Sequence, residues 1–99
     1  MFDKLFEARQ KAEEVKKRLD QVMVKGEVEG GLIQVTATAN REVTEIRIDP
    51  DFLANSEHEE LEELLAVAVN NALKQAEAVN QAEMQGAAKE MLGGLGMNF

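Results

Sequence analysis

Residues 30–50 limit the possible folds of this chain more than any other segment. Their sequence is GGLIQVTATANREVTEIRIDP. Residues 32–39 are rich in β-branched side chains, and apolar and charged residues alternate at 45–48, which is typical of half-buried strands. Asn40 is expected to make the turn between two strands, because its short side chain tolerates left-handed backbone. Pro50 cannot donate a ladder hydrogen bond, so the second strand should end there. The segment predicts a β-hairpin and contains no catalytic group.

A helix is predicted on each side of the hairpin. Residues 2–24 contain neither Gly nor Pro and are rich in good helix formers. The capping box Ser-Glu-His-Glu at 56–59 predicts the start of a second helix, expected to occupy residues 57–85. Residues 25–29 are expected to form a short first strand, followed by a turn at 30–31. The predicted fold is therefore α+β: a helix, a three-stranded antiparallel meander and a long helix.

One face of the hairpin and one face of the second helix supply the predicted core. The strand residues are Ile33, Val35, Ala37 and Ala39, with Ile46 and Ile48 beside them. The helix residues are Leu61, Leu64, Leu65, Ala68, Ala72, Ala76 and Val79. Residues 86–99 hold four of the seven glycines. They are predicted to be a flexible Gly/Met-rich C-terminal tail, with one helical turn at 87–92, after a single domain of residues 1–85.

The net charge of −8 is unevenly distributed along the chain. Residues 1–25 carry seven Lys/Arg and five Asp/Glu, a net charge of +2. Residues 26–63 carry two and eleven, a net −9, and residues 64–99 carry two and three, a net −1. An acidic protein repels polyanions at long range. A nucleic-acid surface would therefore have to be local, and the first helix is the only segment suited to it.

The first helix has a narrow apolar seam whose charged margins are all basic. The seam residues are Leu5, Ala8, Ala12, Val15, Leu19 and Val22. With Leu5 as heptad position a, the basic residues are Lys4, Lys11, Arg18 and Lys25 at g, and Arg9 and Lys16 at e. These six side chains are the candidate DNA-binding residues, and in this interpretation they contact a row of phosphates of the DNA backbone. Three other interpretations stay open: the cations bind an acidic partner, they pair internally with the carboxylates of residues 59–63, or they only extend over the apolar seam as a solvated face.

Other chemistry is not indicated. The chain has no cysteine, which excludes disulfides and thiolate metal sites. The acidic segment after Asp49 lacks the oxygen ligand and the glycine of a calcium loop, where Leu53 and Ala54 stand. His58 is the only histidine and has no second ligand nearby in sequence. We therefore expect no metal, no cofactor, no catalytic residue and no small-molecule substrate. The longest apolar run, residues 64–69, is too short to span a membrane, so a cytoplasmic location is expected.

The order of elements and three motifs resemble the YbaB/EbfC family of bacterial nucleoid-associated proteins. The motifs are GLIQVT at 31–36, VTEIRIDPDFL at 43–53 and LLAVAVNNA at 64–72. The resemblance implies a small cytoplasmic protein that forms a tweezer-like homodimer, binds DNA and takes part in nucleoid organisation and gene regulation. It implies no catalytic residues. The chain departs from the family at Ala39-Asn40, where the hairpin turn often contains glycine.

Two functions from different classes follow. The first is sequence-tolerant binding of double-stranded DNA that alters DNA conformation, with contacts mainly to phosphates. The second is a protein-interaction adaptor whose basic helix margins meet an acidic partner, without physiological DNA binding. A plain parallel coiled coil of two first helices is disfavoured in both, because like charges would face each other.

Overall fold

The computed structural model describes residues 2–94, which form three α-helices, one short 3-10 helix (Glu29–Gly31) and one sheet. The elements are α1 (Phe2–Asp20), β1 (Met23–Val28), β2 (Ile33–Thr38), β3 (Val43–Ile48), α2 (Pro50–Asn55) and α3 (His58–Gly94). The sheet has the order β1-β2-β3, and both strand pairs are antiparallel. The predicted α+β fold with a three-stranded meander is confirmed, and α2 is an addition to it.

The main core lies between β2 and α3. Ile33, Val35 and Ala37 alternate on one face of β2 and are fully buried against Ala68 and Ala72 of α3. The small alanine side chains let the helix backbone approach the sheet closely. The predicted core faces of both elements are confirmed at these positions.

The helix covers β1 and β2 but leaves β3 largely open. The register places Ile46 opposite Val35, on the face that points toward α3. Ile46 is nevertheless 46% exposed, because no helix lies over this edge strand. Its predicted place in the core is therefore wrong for the single chain, whereas Ile48 packs against the core as expected.

The boundary between α1 and β1 differs from the prediction. The helix ends at Asp20, and the amide of Gln21 donates to the Arg18 carbonyl at 3.1 Å in the closing turn. Strand β1 begins at Met23, and its Gly26 is buried against α3. Pairing of β1 with β2 outweighs the helix propensity of this segment. Gly26 is therefore a point of close packing between β1 and α3.

Helix α2 lies directly before the capping box that was predicted to begin the long helix. Asp49 is its N-cap, with the carboxylate accepting from the Phe52 amide at 3.0 Å, and Pro50 is its first residue. The Ser56 hydroxyl donates to the Phe52 carbonyl at 2.5 Å and closes this short helix. Helix α3 begins at His58. The function assigned to Ser56 in the predicted capping box is therefore wrong.

Helix α3 extends to Gly94, well beyond the predicted end at residue 85. The added turns pack on α1, where Ala87 contacts the cluster of Val15 and Leu19. This tertiary contact explains why the glycines do not end the helix earlier. Residues 95–99 of the predicted tail lie outside the described residues, and their flexibility stays a prediction.

Candidate nucleic-acid interface

Helix α1 and the C-terminal half of α3 run antiparallel and form a two-helix arm. Val15 and Leu19 are fully buried between them and the sheet, together with Ala39 of the hairpin turn. Leu5, near the N-terminus of α1, is 59% exposed, so the predicted seam is covered only in its C-terminal part. The described part of the chain measures 62 × 23 × 17 Å. Such an elongated shape presents the α1 side chains along an extended surface.

Five of the six candidate residues lie on α1 within this arm, and one does not. The five are Lys4, Arg9, Lys11, Lys16 and Arg18. Lys25 is instead an exposed residue of β1, because the helix ends before it. Its predicted g position on the first helix is therefore wrong. The candidate cations on the arm therefore all belong to α1.

Two cations of the g margin bind carboxylates of α3. Lys11 Nζ lies 2.8 Å from Glu90 Oε2, and Arg18 Nη2 lies 2.6 Å from Glu83 Oε2. The two cations are seven residues apart on α1, and their two partners are seven residues apart on the antiparallel α3. The two ion pairs, called rungs below, therefore lie about two helical turns apart along the arm. The predicted alternative of internal pairing is thus realised for these residues, but with other acids. The carboxylates of residues 59–63 lie at the opposite end of α3.

The Lys11–Glu90 pair shifts both protonation equilibria. The hydrogen bond to the Glu90 carboxylate, assisted by its negative charge, raises the pKa of Lys11. The same hydrogen bond and the charge of Lys11 lower the pKa of Glu90. The Glu90 side chain is 67% exposed, so water screens the attraction and the pair contributes little to stability.

The e margin of α1 carries cations of a different kind. Within residues 2–94, neither Arg9 nor Lys16 has a carboxylate oxygen within 4 Å. Lys16 borders an open groove of about 510 Å³ between α1, α3 and the β2–β3 turn. The groove is lined by Ala12, Glu13, Lys16, Asn40, Arg41, Asn80 and Met84. This margin therefore presents positive charge that α3 does not neutralise.

Two asparagines fix the hairpin turn to the arm. The side-chain nitrogen Nδ2 of Asn40 donates to the Lys16 carbonyl at 2.8 Å and to the Asp20 carboxylate. Asn80 donates from α3 to the Ala39 carbonyl at 3.1 Å. The left-handed residue of the turn is Arg41, with φ of 66°, so the backbone predicted for Asn40 is wrong. Asn40 serves through its side chain, which holds the C-terminal end of α1 against the sheet.

The described residues contain little that suggests other chemistry. Within residues 2–94 no three His, Cys, Asp or Glu side chains are grouped so that they could hold a metal ion. Over the same residues, no helix is both long and apolar enough to cross a membrane. The basic side chains of α1 are therefore the main candidate for a functional surface among the described residues.

Residues 1–91 match the sequence model of the YbaB/EbfC DNA-binding family. The chain belongs to this family. The resemblance of the three motifs is thereby confirmed over nearly the whole chain. The expectation that the protein has no catalytic residues stays a prediction.

Named relatives extend the comparison. The chain is 40% identical over 89 residues to a nucleoid-associated protein of Flavobacterium johnsoniae, covering 90% of this chain and 82% of that protein. It is 44% identical over 79 residues to a nucleoid-associated protein of Rhodopseudomonas palustris, covering 80% of this chain and 71% of that protein. Both alignments cover most of this chain.

A solved structure shows the same fold. The crystal structure of an uncharacterized protein from Helicobacter pylori superimposes with a TM-score of 0.65. The match covers 79% of this chain and 90% of that one, at 18% sequence identity. At this identity the likeness concerns the fold alone.

Two residues at the base of the arm, Arg41 and Asn80, were not predicted from the sequence. Arg41 lines the same groove as Lys16, and its Nη1 lies 2.6 Å from Glu77 Oε2. Asn80 reaches the turn across 41 residues of sequence. No local pattern indicates either contact, because each depends on how α3 crosses the sheet.

Proposed function

We propose that the protein is a cytoplasmic, nucleoid-associated protein that binds double-stranded DNA through phosphates along α1. The match of residues 1–91 to a DNA-binding family is the observation that carries the proposal. The basic margins of α1, in a chain of net charge −8, supply a local surface for a polyanion. The relatives named nucleoid-associated proteins support a role in nucleoid organisation and gene regulation.

The two margins of α1 contribute differently to this binding. Arg9 and Lys16 on the e margin are exposed and available to phosphate at once. Lys11 and Arg18 on the g margin must first share their charge with Glu90 and Glu83. Contacts to phosphate position a protein but carry no base information, so the binding is sequence-tolerant. Lys4 extends the same surface toward the tip, and Lys25 supplies a separate contact on the sheet.

The proposed assembly is a homodimer through the open side of the sheet. Four large apolar side chains of β3, α2 and the first half of α3 are 37–48% exposed: Val43, Ile46, Leu53 and Val67. Strand β3 is also an unpaired edge, which proteins generally cover or protect. A second copy would bury these groups and bring two arms together as a tweezer-like pair. The duplicated basic surface would then bind one duplex.

The test is fluorescence-anisotropy titration of a labelled random-sequence duplex at low salt. The variant Arg9→Glu/Lys16→Glu reverses the charge of the two e-margin cations of α1, which α3 leaves unpaired. The control Arg47→Glu/Lys74→Glu makes the same change of charge on exposed residues of β3 and α3. We expect at least about tenfold weaker binding for the α1 variant and no more than about threefold for the control. Equal losses in both variants would contradict the assignment to α1.

The adaptor function is the alternative, and exposed apolar residues on the arm favour it. Leu5 and Phe6 are about 60% exposed and share a shallow surface with Arg9. An amphipathic acidic partner would use such a mixture of apolar and basic groups. If this were the function, wild-type protein would fail to bind the duplex even at low salt and high concentration.

A further inference from the structure

The two ion pairs of the arm place carboxylates on cations that would otherwise be available to DNA phosphates. Glu90 and Glu83 bind Lys11 and Arg18 directly, at 2.8 and 2.6 Å between the charged atoms. All four side chains stay accessible, with exposed fractions from 31% for Lys11 to 67% for Glu90. A phosphate can therefore reach either cation, but it meets a negative charge already in place.

The α3 carboxylates resemble a DNA phosphate in what they offer. Each presents oxygen acceptors to a guanidinium or an ammonium group, as a phosphate does. A cation shared between a carboxylate and a phosphate holds two like charges close together, which is unfavourable. Binding of DNA at Lys11 and Arg18 must therefore displace Glu90 and Glu83 or tolerate their repulsion.

We propose that Glu83 and Glu90 act as internal competitors that set the DNA affinity of the arm. The inference rests on the proposed function and concerns the g margin of α1 only. It accounts for two acidic residues placed on the basic surface itself, where a protein that maximised DNA affinity would have none. It also separates the effect of these two carboxylates from that of the general negative charge of the chain.

Competition has a signature in the salt dependence. Each protein cation that neutralises a phosphate releases about 0.9 counterions from the DNA. When that cation abandons a carboxylate, the carboxylate takes up a cation from solution, and the net release at that position falls toward zero. Removing both carboxylate charges should therefore steepen the plot of log K against log salt by about 2 for each protein chain that contacts the duplex.

The experiment compares wild-type protein with Glu83→Gln/Glu90→Gln and with Glu62→Gln/Glu63→Gln. Both variants remove two negative charges from exposed positions of α3, but residues 62 and 63 lie far from α1. Loss of exposed ion pairs leaves the fold intact, which a helical circular dichroism spectrum verifies. Affinity for a random-sequence duplex is measured by anisotropy at several salt concentrations.

We expect about three- to thirtyfold tighter binding for Glu83→Gln/Glu90→Gln at low salt, with the steeper slope. The control should bind no more than about twofold tighter, with the wild-type slope. Equal tightening in both variants, or no tightening in either, would overturn the inference while leaving DNA binding in place. Failure of all three proteins to bind would overturn the proposed function, and this inference with it.

Discussion

Gly26 of β1 lies directly against Ala72 of α3, with no space for a side chain between them. A Cβ atom at position 26 would stand 2.2 Å from the Ala72 nitrogen and 2.3 Å from the Ala68 carbonyl oxygen. Both neighbours are helix backbone and cannot move aside. Gly26→Ala should therefore lower the free energy of unfolding by about 3 kcal/mol, measured by urea denaturation.

Gly86→Ala is the matched control for this substitution. Gly86 lies on an exposed position of α3, where an alanine methyl group would have no neighbour within 4 Å. Alanine is the better helix former, so stability should rise by about 0.5–1 kcal/mol. Equal effects of the two substitutions would contradict the close packing of β1 on α3.

The side chain of Asn40 is predicted to hold the base of the arm. Asn40→Ala removes the hydrogen bonds to the Lys16 carbonyl and the Asp20 carboxylate, at a cost of about 1 kcal/mol. Hydrogen exchange of the amides in residues 16–22 should become faster. Asn55→Ala, which removes a local bond to the Asp51 carbonyl in α2, is the control and should leave that exchange unchanged.

The pKa of Glu90 reports directly on one rung of the arm. Because Lys11 lowers this pKa in the folded state, the pair stabilises the fold above the unfolded value of about 4.3, and that contribution disappears as pH falls through the folded value. NMR titration should place the Glu90 carboxyl below its ordinary value and show a return toward it in Lys11→Met. Lys17→Met, an exposed change on α1, should have no such effect. An unchanged Glu90 pKa in Lys11→Met would contradict the pairing.

The proposed dimer can be tested at β3. Ile46→Lys introduces a charge on the open side that a second copy would cover, so sedimentation should show a monomer with an unchanged helical spectrum. Thr44→Lys, an exposed change on the same strand, is the control and should sediment as the wild type. The same mass for both variants would place the interface elsewhere.

Local periodicity explains which parts of the YbaB/EbfC fold could be predicted. The alternation of Ile33, Val35 and Ala37 marks the buried face of β2 without any other information. The start of β1 could not be found in this way, because its extended backbone depends on pairing with β2 and on close contact of Gly26 with α3. Helix α2 was predictable in principle, since Asp49-Pro50 combines an N-cap with a favourable first residue.

The candidate surface was only half predictable for a similar reason. Heptad spacing identified the basic margins of α1, but spacing cannot indicate which margin faces an acid from a distant segment. Arg18 and Glu83 are 65 residues apart in sequence. The antiparallel packing of α1 on the C-terminal half of α3 brings them together. This packing pairs Lys11 and Arg18 of the g margin with carboxylates of α3, whereas it leaves the e-margin cations unpaired.

Salt-dependent affinity of the wild-type protein for duplex DNA tests the central claim most directly. Six phosphate contacts per protein chain correspond to a slope of about −5 in log K against log salt, and a dimer that binds one duplex through both chains doubles it to about −11. Competition at two contacts in each chain reduces the magnitude for the dimer to about 7, so anisotropy titrations between about 50 and 200 mM salt should give a slope between about −7 and −11. No binding at the lowest salt, or an affinity independent of salt, would contradict phosphate recognition by the arm.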